Sequence, residues 1–236
     1  MWAFFLRVSM SFFEKTYIKK NHKFIAATDE VGRGPLAGPV VATSVCYAGD
    51  FKKIKKLILK LEATGVTDSK KLTDKKRRLI LENLNIDYTQ SFGDIEIEGC
   101  RLQFSTVEKC NRYIEDHNIL KSSLDAMKEA VLSFKLEDGV VLIDGNKTFS
   151  YSSADIFPIV KGDSKSVLIG LSSIIAKIYR DDLMQEFSKQ YPHYGFEKNA
   201  GYPTAAHRLG IEEYGITPIH RKTFKGVKEY VDGGKC

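Results

Sequence analysis

At 236 residues, with 43% apolar and 28% charged side chains, the chain is long enough to bury a substantial core and has the balance of an ordinary globular protein rather than a disordered or fibrous one. Its 36 basic and 30 acidic residues leave a net charge of +6, a mild bias toward anionic partners that selects none by itself. The cysteines Cys46, Cys100, Cys110 and Cys236 form no C-x-x-C pair and have no histidine at zinc-finger spacing, which argues against a structural zinc module and for reduced thiols in a cytoplasmic protein.

The opening MWAFFL is apolar but far too short to span a bilayer, and Arg7 follows at once. Residues 1–22 are therefore expected as a flexible extension, with Met10 as an alternative start. The run FIAAT at 24–28 is short, β-prone and bounded by a Gly/Pro-rich turn, which predicts a buried strand ending in Asp29-Glu30. After a turn at 32–39, VVATSVCY at 40–47 predicts a second strand, antiparallel to the first. Ile54, Leu57 and Ile58 stand at helical spacing, and Thr73 is placed to cap a helix running to Leu84.

A strand-like stretch follows at 88–97, then a helical region at 106–134 with a break near His117-Asn118 and Leu120, Leu124, Met127 and Val131 on its buried face. The apolar run VVLI at 140–143 predicts a central strand ending in Asp144, and 157–160 another, closed by the turn that carries Asp163. A helix with Leu168, Leu171, Ile175 and Ile178 on one face comes next, and a short one is expected at 204–214. Strands followed by alternating helices and strands give an α/β class: a mixed sheet with helices on its faces. The organisation expected is an extension (1–22), a main domain (23–190) and a small helical C-terminal portion (191–236) packed on it.

Burying two unpaired anions at a strand end is costly, so Asp29 and Glu30 need a cation, a wet cleft or a metal. With Asp144 and Asp163, acids end three predicted strands, where ligands of α/β sheets bind. If those strands adjoin, the carboxylates raise one another's pKa values and call for a hard cation, Mg²⁺ or Mn²⁺; two ions about 3.5–4 Å apart suit an in-line phosphodiester displacement. The bland alternative is that each acid caps a strand end or helix, Asp163 above all, beside a helix start near Ser164.

The glycines of the Gly32-x-Gly34 loop lack the following helix that a dinucleotide fingerprint requires, so a nucleotide-dependent oxidoreductase fails on context. Gly32, Arg33 and Gly34 instead offer N–H groups and a cation to phosphate. Ser69, Lys70 and Lys71 open a basic cluster suited to phosphate contact or to plain solvation. The tail residues Tyr191, Tyr194, Phe196, His207, Arg208, His220 and Arg221 read as core aromatics plus surface charge. Tyr202, between Gly201 and Pro203, is the residue placed to stack on a sugar or base.

These residues occur in motifs, DEVGRGPLAGPVVA from Asp29, TDSKKLTDKKR from Thr67, VLIDGN from Val141, VKGDSK from Val160, SIIAKIYRD from Ser173, GYPT from Gly201 and HRKTF from His220, whose order and spacing resemble bacterial ribonuclease HII. The resemblance covers about residues 24–227. It implies an RNase H-like fold, with Asp29, Glu30, Asp144 and Asp163 as catalytic, metal-binding acids. It also implies hydrolysis of RNA in RNA–DNA hybrids, with cleavage 5′ of single ribonucleotides in duplex DNA. By the same likeness Gly32, Arg33 and Gly34 would sense the 2′-OH, and Tyr202 the neighbouring deoxyribose. Ser172 departs from the alanine usual there. A ribonuclease HIII-like enzyme and a non-catalytic hybrid-binding protein remain the alternatives; Arg33 argues against the first, the full set of acids against the second.

Overall fold

The computed structural model describes residues 13–231; residues 1–12 and 232–236, with the alternative start at Met10 and the thiol of Cys236, lie outside the described residues. Strands β1 (Phe24–Val31) and β2 (Val40–Ala48) pair antiparallel. Strand β4 (Cys100–Lys109) continues from β2 and β3 (Phe92–Ile97) from β4, both antiparallel. On the other side β5 (Gly139–Asp144) and then β6 (Ala154–Ile159) join parallel to β1, giving a mixed sheet of order β3-β4-β2-β1-β5-β6.

Alternation along the strands makes two cores. Ile25 and Ala27 of β1 face a cluster shared with α2 (Ile54–Thr64), α3 (Asp74–Asn83) and α6 (Val167–Gln190). Phe24 and Ala26 face the opposite side, against Ala126, Met127 and Val131 of α5 (Ile119–Leu132). The first half of α6 is buried nearly all round, the expected fate of a helix without a polar face. A third cluster joins Leu36 and Ala37 to Met184, Tyr194, Phe196, Ile211 and Val227. It therefore ties the turn after β1 to α7 (Phe196–Asn199) and α8 (Ala205–Tyr214), whose cap is the Thr204 hydroxyl.

Two expectations need correction. Residues 106–109, read as the start of a helix, end β4 instead: Cys100, Leu102 and Phe104 alternate into the core, and pairing with β2 outweighs local helical preference. Helix begins at α4 (Asn111–His117) and breaks at Asn118, which takes φ 63° and caps α5 through its side chain. Nor is the segment before β1 loose from residue 13 onward. Helix α1 (Phe13–Tyr17) packs Phe13 and Tyr17 on the core, the Tyr17 ring lying 4.8 Å from that of Phe157. Its Glu14 is 1% exposed and accepts from Ser166 Oγ at 2.7 Å and from the Leu168 N–H at 3.4 Å, strapping the extension to the start of α6.

Two arginines fix the turn between β1 and β2. Arg180 on α6 donates to the carbonyls of Pro39 (2.9 Å), Ala200 (2.9 Å) and Ala37 (3.2 Å). Arg221 donates to Gly38 (3.0 Å), Arg33 (3.0 Å) and Gly32 (2.6 Å). Both side chains are fully buried. Desolvation lowers their pKa values to about 10 and about 9, which still leaves both cationic at neutral pH. Gly32 holds φ +91°, and a Cβ there would stand 2.2 Å from Arg180 Nε, so the clamp and the glycine require each other.

Replacing Arg221 by lysine leaves buried carbonyls without donors. It is expected to cost about 2–4 kcal/mol, read in chemical denaturation; an unchanged midpoint would show that the clamp is dispensable. Burial raises the Glu14 carboxyl, so the folded chain holds that proton more tightly than the unfolded one does. Its contribution is thus most favourable in acid and is lost as pH rises through the raised value. Glu14→Gln should match or exceed the parent melting temperature near pH 8 and lose that advantage near pH 4. Glu14→Ala should lose about 1–3 kcal/mol at both. A glutamine variant less stable than the parent near pH 8 contradicts this account.

Candidate active site

Strands β1 and β5 run parallel with Thr28 beside Ile143, so Asp29 and Asp144 follow as neighbours at the carboxyl ends of adjacent strands. Counting by twos, Asp29 shares the face of Ile25 and Ala27, and Asp144 that of Val140 and Leu142: both lie on the α6 side. Asp163 arrives from the turn Gly162–Ser164 between β6 and α6, and the Gly162 N–H ties that turn to β5 by donating to Asp144 Oδ1 at 2.6 Å. The helix cap is Ser166, whose hydroxyl accepts from the Ile169 N–H, so the capping role weighed for Asp163 is filled elsewhere.

The electrostatics follow from this crowding. Asp29 is 4% exposed, and burial, then Glu30 and Asp144, push its carboxyl well above the usual range, while bonds from Ser173 and the Glu30 N–H oppose the shift. Glu30 is raised by burial and by Asp144 against the pull of Arg33, 3.2 Å away. Asp163 is raised by burial, Asp144 and Asp68, and Lys70 reaches it at 3.5 Å. The site therefore holds an excess of negative charge answered by two exposed cations, Arg33 and Lys70.

The donor set suits a hard divalent cation. Every candidate ligand is a carboxylate oxygen, and Glu30 Oε2 is buried with no hydrogen-bond partner. Among the described residues no three acidic, histidine or cysteine side chains stand in an arrangement that could hold a metal ion as placed. Alternation explains this, because it directs Glu30 toward the α5 side of β1 while Asp29 and Asp144 lie on the α6 side. The carboxylates are gathered but still turned to protein partners.

Beside them lies the clamped loop. Arg221 draws the Gly32 and Arg33 carbonyls inward, and in a planar trans peptide this turns the N–H groups of Arg33 and Gly34 outward. A Cβ on Gly34 would stand 3.3 Å from the Tyr202 ring, and one on Gly201 2.7 Å from the Ala37 carbonyl, so loop and tyrosine form one surface. Tyr202 is 42% exposed on it.

Of the basic candidates, Lys70 is brought to the acids, whereas Lys71 pairs with Asp68 at 3.7 Å. Ser69 is buried, its hydroxyl 2.8 Å from that of Ser173, so it supports Asp29 from beneath instead of facing a ligand. Ser172, the departure noted in the sequence, is fully buried and satisfied: its hydroxyl donates to the carbonyls of Ala27 (2.8 Å) and Leu168 (3.0 Å). Sequence reasoning missed Ser173 and Arg180 and counted Arg221 as surface charge. The available signal for Arg180 was a lone arginine closing a run, SSIIAKIYR, too apolar to lie in water.

Residues 26–227 match the family model described as ribonuclease HII. The chain is 40% identical over 226 residues to the ribonuclease HII of Chlamydia muridarum, covering 96% of this chain and 93% of that one. In fold it is similar to ribonuclease H2 from Pyrococcus horikoshii, with a TM-score of 0.67 at 22% identity over 88% of this chain and 96% of that one. It is also similar to Bst-RNase HIII solved in complex with Mn²⁺, with a TM-score of 0.59 at 17% identity over 92% and 72%. Among the described residues no helix is long and apolar enough to cross a membrane. A family match over most of the length, with identity of this extent, means that the chain belongs to the ribonuclease HII family and is an enzyme of the ribonuclease H type.

Proposed function

We propose that the enzyme is an endonuclease that hydrolyses RNA within RNA–DNA hybrids and cuts on the 5′ side of single ribonucleotides embedded in duplex DNA, leaving 3′-hydroxyl and 5′-phosphate ends. The observation that carries this reading is the meeting of acids from three distant segments beside a loop whose N–H groups face outward. Such a protein acts as a monomer in the cytoplasm, on duplexes containing ribonucleotides, as a step in ribonucleotide excision repair.

Asp29, Glu30, Asp144 and Asp163 would hold Mg²⁺ or Mn²⁺, two ions in the catalytic complex. The unpartnered Glu30 Oε2, the all-oxygen donor set and the raised carboxyls support that fit. When bound, such ions make water a competent nucleophile and stabilise the charge that develops on the scissile phosphate and leaving oxygen. The chain's own residues supply the rest. Ser173 and the Glu30 N–H hold Asp29 in one orientation. Lys70 and Arg33, both exposed cations at the rim, would accompany the phosphates as they enter. The outward N–H groups of Arg33 and Gly34 meet the ribose 2′-OH and adjacent phosphate oxygens, the 2′-OH being what separates RNA from DNA at one position. Tyr202 offers its exposed ring to the following deoxyribose.

Asp29→Asn should lower cleavage of a duplex with one internal ribonucleotide at least about 100-fold while leaving binding detectable, and a chelator should do the same to the parent protein. Product mapping on that duplex checks both; undiminished turnover of the variant would sink the assignment. Affinity should fall as salt rises, with a log–log slope of about −0.9 per phosphate contacted, so a titration showing no salt dependence would remove the basic rim from recognition.

A further inference from the structure

The strongest unassigned cluster lies behind the recognition surface, not in it. His207 and His220 are both fully buried, with their Nε2 atoms 3.0 Å apart. His207 Nδ1 stands 2.9 Å from the Tyr202 carbonyl, and His220 Nδ1 stands 2.9 Å from the Thr217 backbone nitrogen. A carbonyl only accepts and a backbone N–H only donates, so the two outer atoms decide the protons. His207 must carry its proton on Nδ1, and His220 must leave Nδ1 bare. The inner bond then has one solution: His220 Nε2–H donates to the bare Nε2 of His207.

That chain is complete only while both rings are neutral. An added proton on His207 Nε2 would face the Nε2–H of its partner, and one on His220 Nδ1 would face the Thr217 N–H. The surroundings favour neutrality. Burial lowers both rings, His220 to about 4 with His207 as the second cause, while the Arg208 charge adds to the lowering of His207. The rings of Tyr194 and Phe196 pack on both, Thr217 places its hydroxyl 2.8 Å from His220 Nδ1, and Arg221 is the next residue along the chain.

Each end of the pair is tied to a different piece of the recognition surface. His207 holds the peptide of Tyr202. His220 forms a β-bridge with Ala37, flanked by bonds from the Gly38 N–H to the Ile219 carbonyl (2.9 Å) and from the Arg221 N–H to the Leu36 carbonyl (2.8 Å). We propose that His207 and His220 are positioning residues: a tautomer-locked pair that couples the setting of Tyr202 to that of the 32–39 loop and so to discrimination of the ribonucleotide junction. This rests on the recognition role given above to Tyr202 and the loop.

The test compares His207→Phe with the parent on two substrates, a duplex with one ribonucleotide and a continuous RNA–DNA hybrid. The variant should raise KM for the single-ribonucleotide duplex about tenfold, with kcat within about twofold and the hybrid little affected. His207→Gln, which keeps a donor and an acceptor, should restore most of the loss. In a Tyr202→Ala background His207→Phe should cost nothing further; an equal second loss means that the pair does not act through Tyr202 and overturns the proposal.

Should Tyr202→Ala itself leave both substrates unaffected, the role of Tyr202 fails, and amide exchange decides the coupling. Exchange at the Gly201 and Tyr202 amides should rise in His207→Phe, and unchanged exchange there overturns the proposal. Imidazole nitrogen shifts on the unsubstituted enzyme guard against a variant that does not fold. They should show neutral rings at pH 6 with the tautomers deduced above, and a ring titrating near its ordinary value overturns the lock.

Discussion

Two fully buried guanidinium groups, answered by carbonyl oxygens instead of carboxylates, are the constraint on which the proposed recognition surface depends. Moving a charge out of water is costly, and only the carbonyls that each arginine collects make the arrangement tolerable. The same bonds do structural work on the chain. They pull the carbonyls of Gly32, Arg33, Ala37, Gly38 and Pro39 inward, turn the N–H groups of Arg33 and Gly34 outward, and link that turn to Ala200 just before Tyr202. The positive charge trapped beneath the loop also makes its outer side more hospitable to anions.

The acids impose the opposite demand. Asp29, Glu30 and Asp163 are each held where burial and like charge favour the protonated form, which is a strain on the folded state without a cation. Sheet and clamp absorb it: β1 lies between two neighbours, and α6 carries both Ser173 under Asp29 and Arg180 under the loop. One helix therefore sets the distance between the clamped loop and the gathered carboxylates.

Much of this was legible in the sequence, and the rest was not, for identifiable reasons. The runs before Asp29 and Asp144 read as strands because they are short, apolar and sharply ended. Their adjacency did not, since parallel pairing across more than a hundred residues leaves no local trace. Strand β4 was missed: its first residues were assigned to no element, and Thr106 and Val107 run on toward a true helix with no glycine or proline between them. Glu14 gave no signal at all, as its partners Ser166 and Leu168 lie 152 and 154 residues further along the chain. Buried arginines and histidines are the hardest case: composition treats them as surface, and only tertiary contacts reveal which ones the core has taken in.

The sheet's pairings also differ in how they come to exist. β1 with β2 and β3 with β4 close as antiparallel pairs of consecutive strands, whereas β4 must return to β2, and β5 to β1, across a long intervening chain, β6 then adding to β5. Contacts between such remote segments form late, after most of the loop-closure entropy has been lost. A ribosome-bound chain that has emerged only as far as β4 would thus own the first two acids and the glycine loop but neither Asp144 nor Asp163. Under the proposed function, cleavage would have to wait for β5, β6 and the turn that carries Asp163, so a partly made chain would not yet be a nuclease.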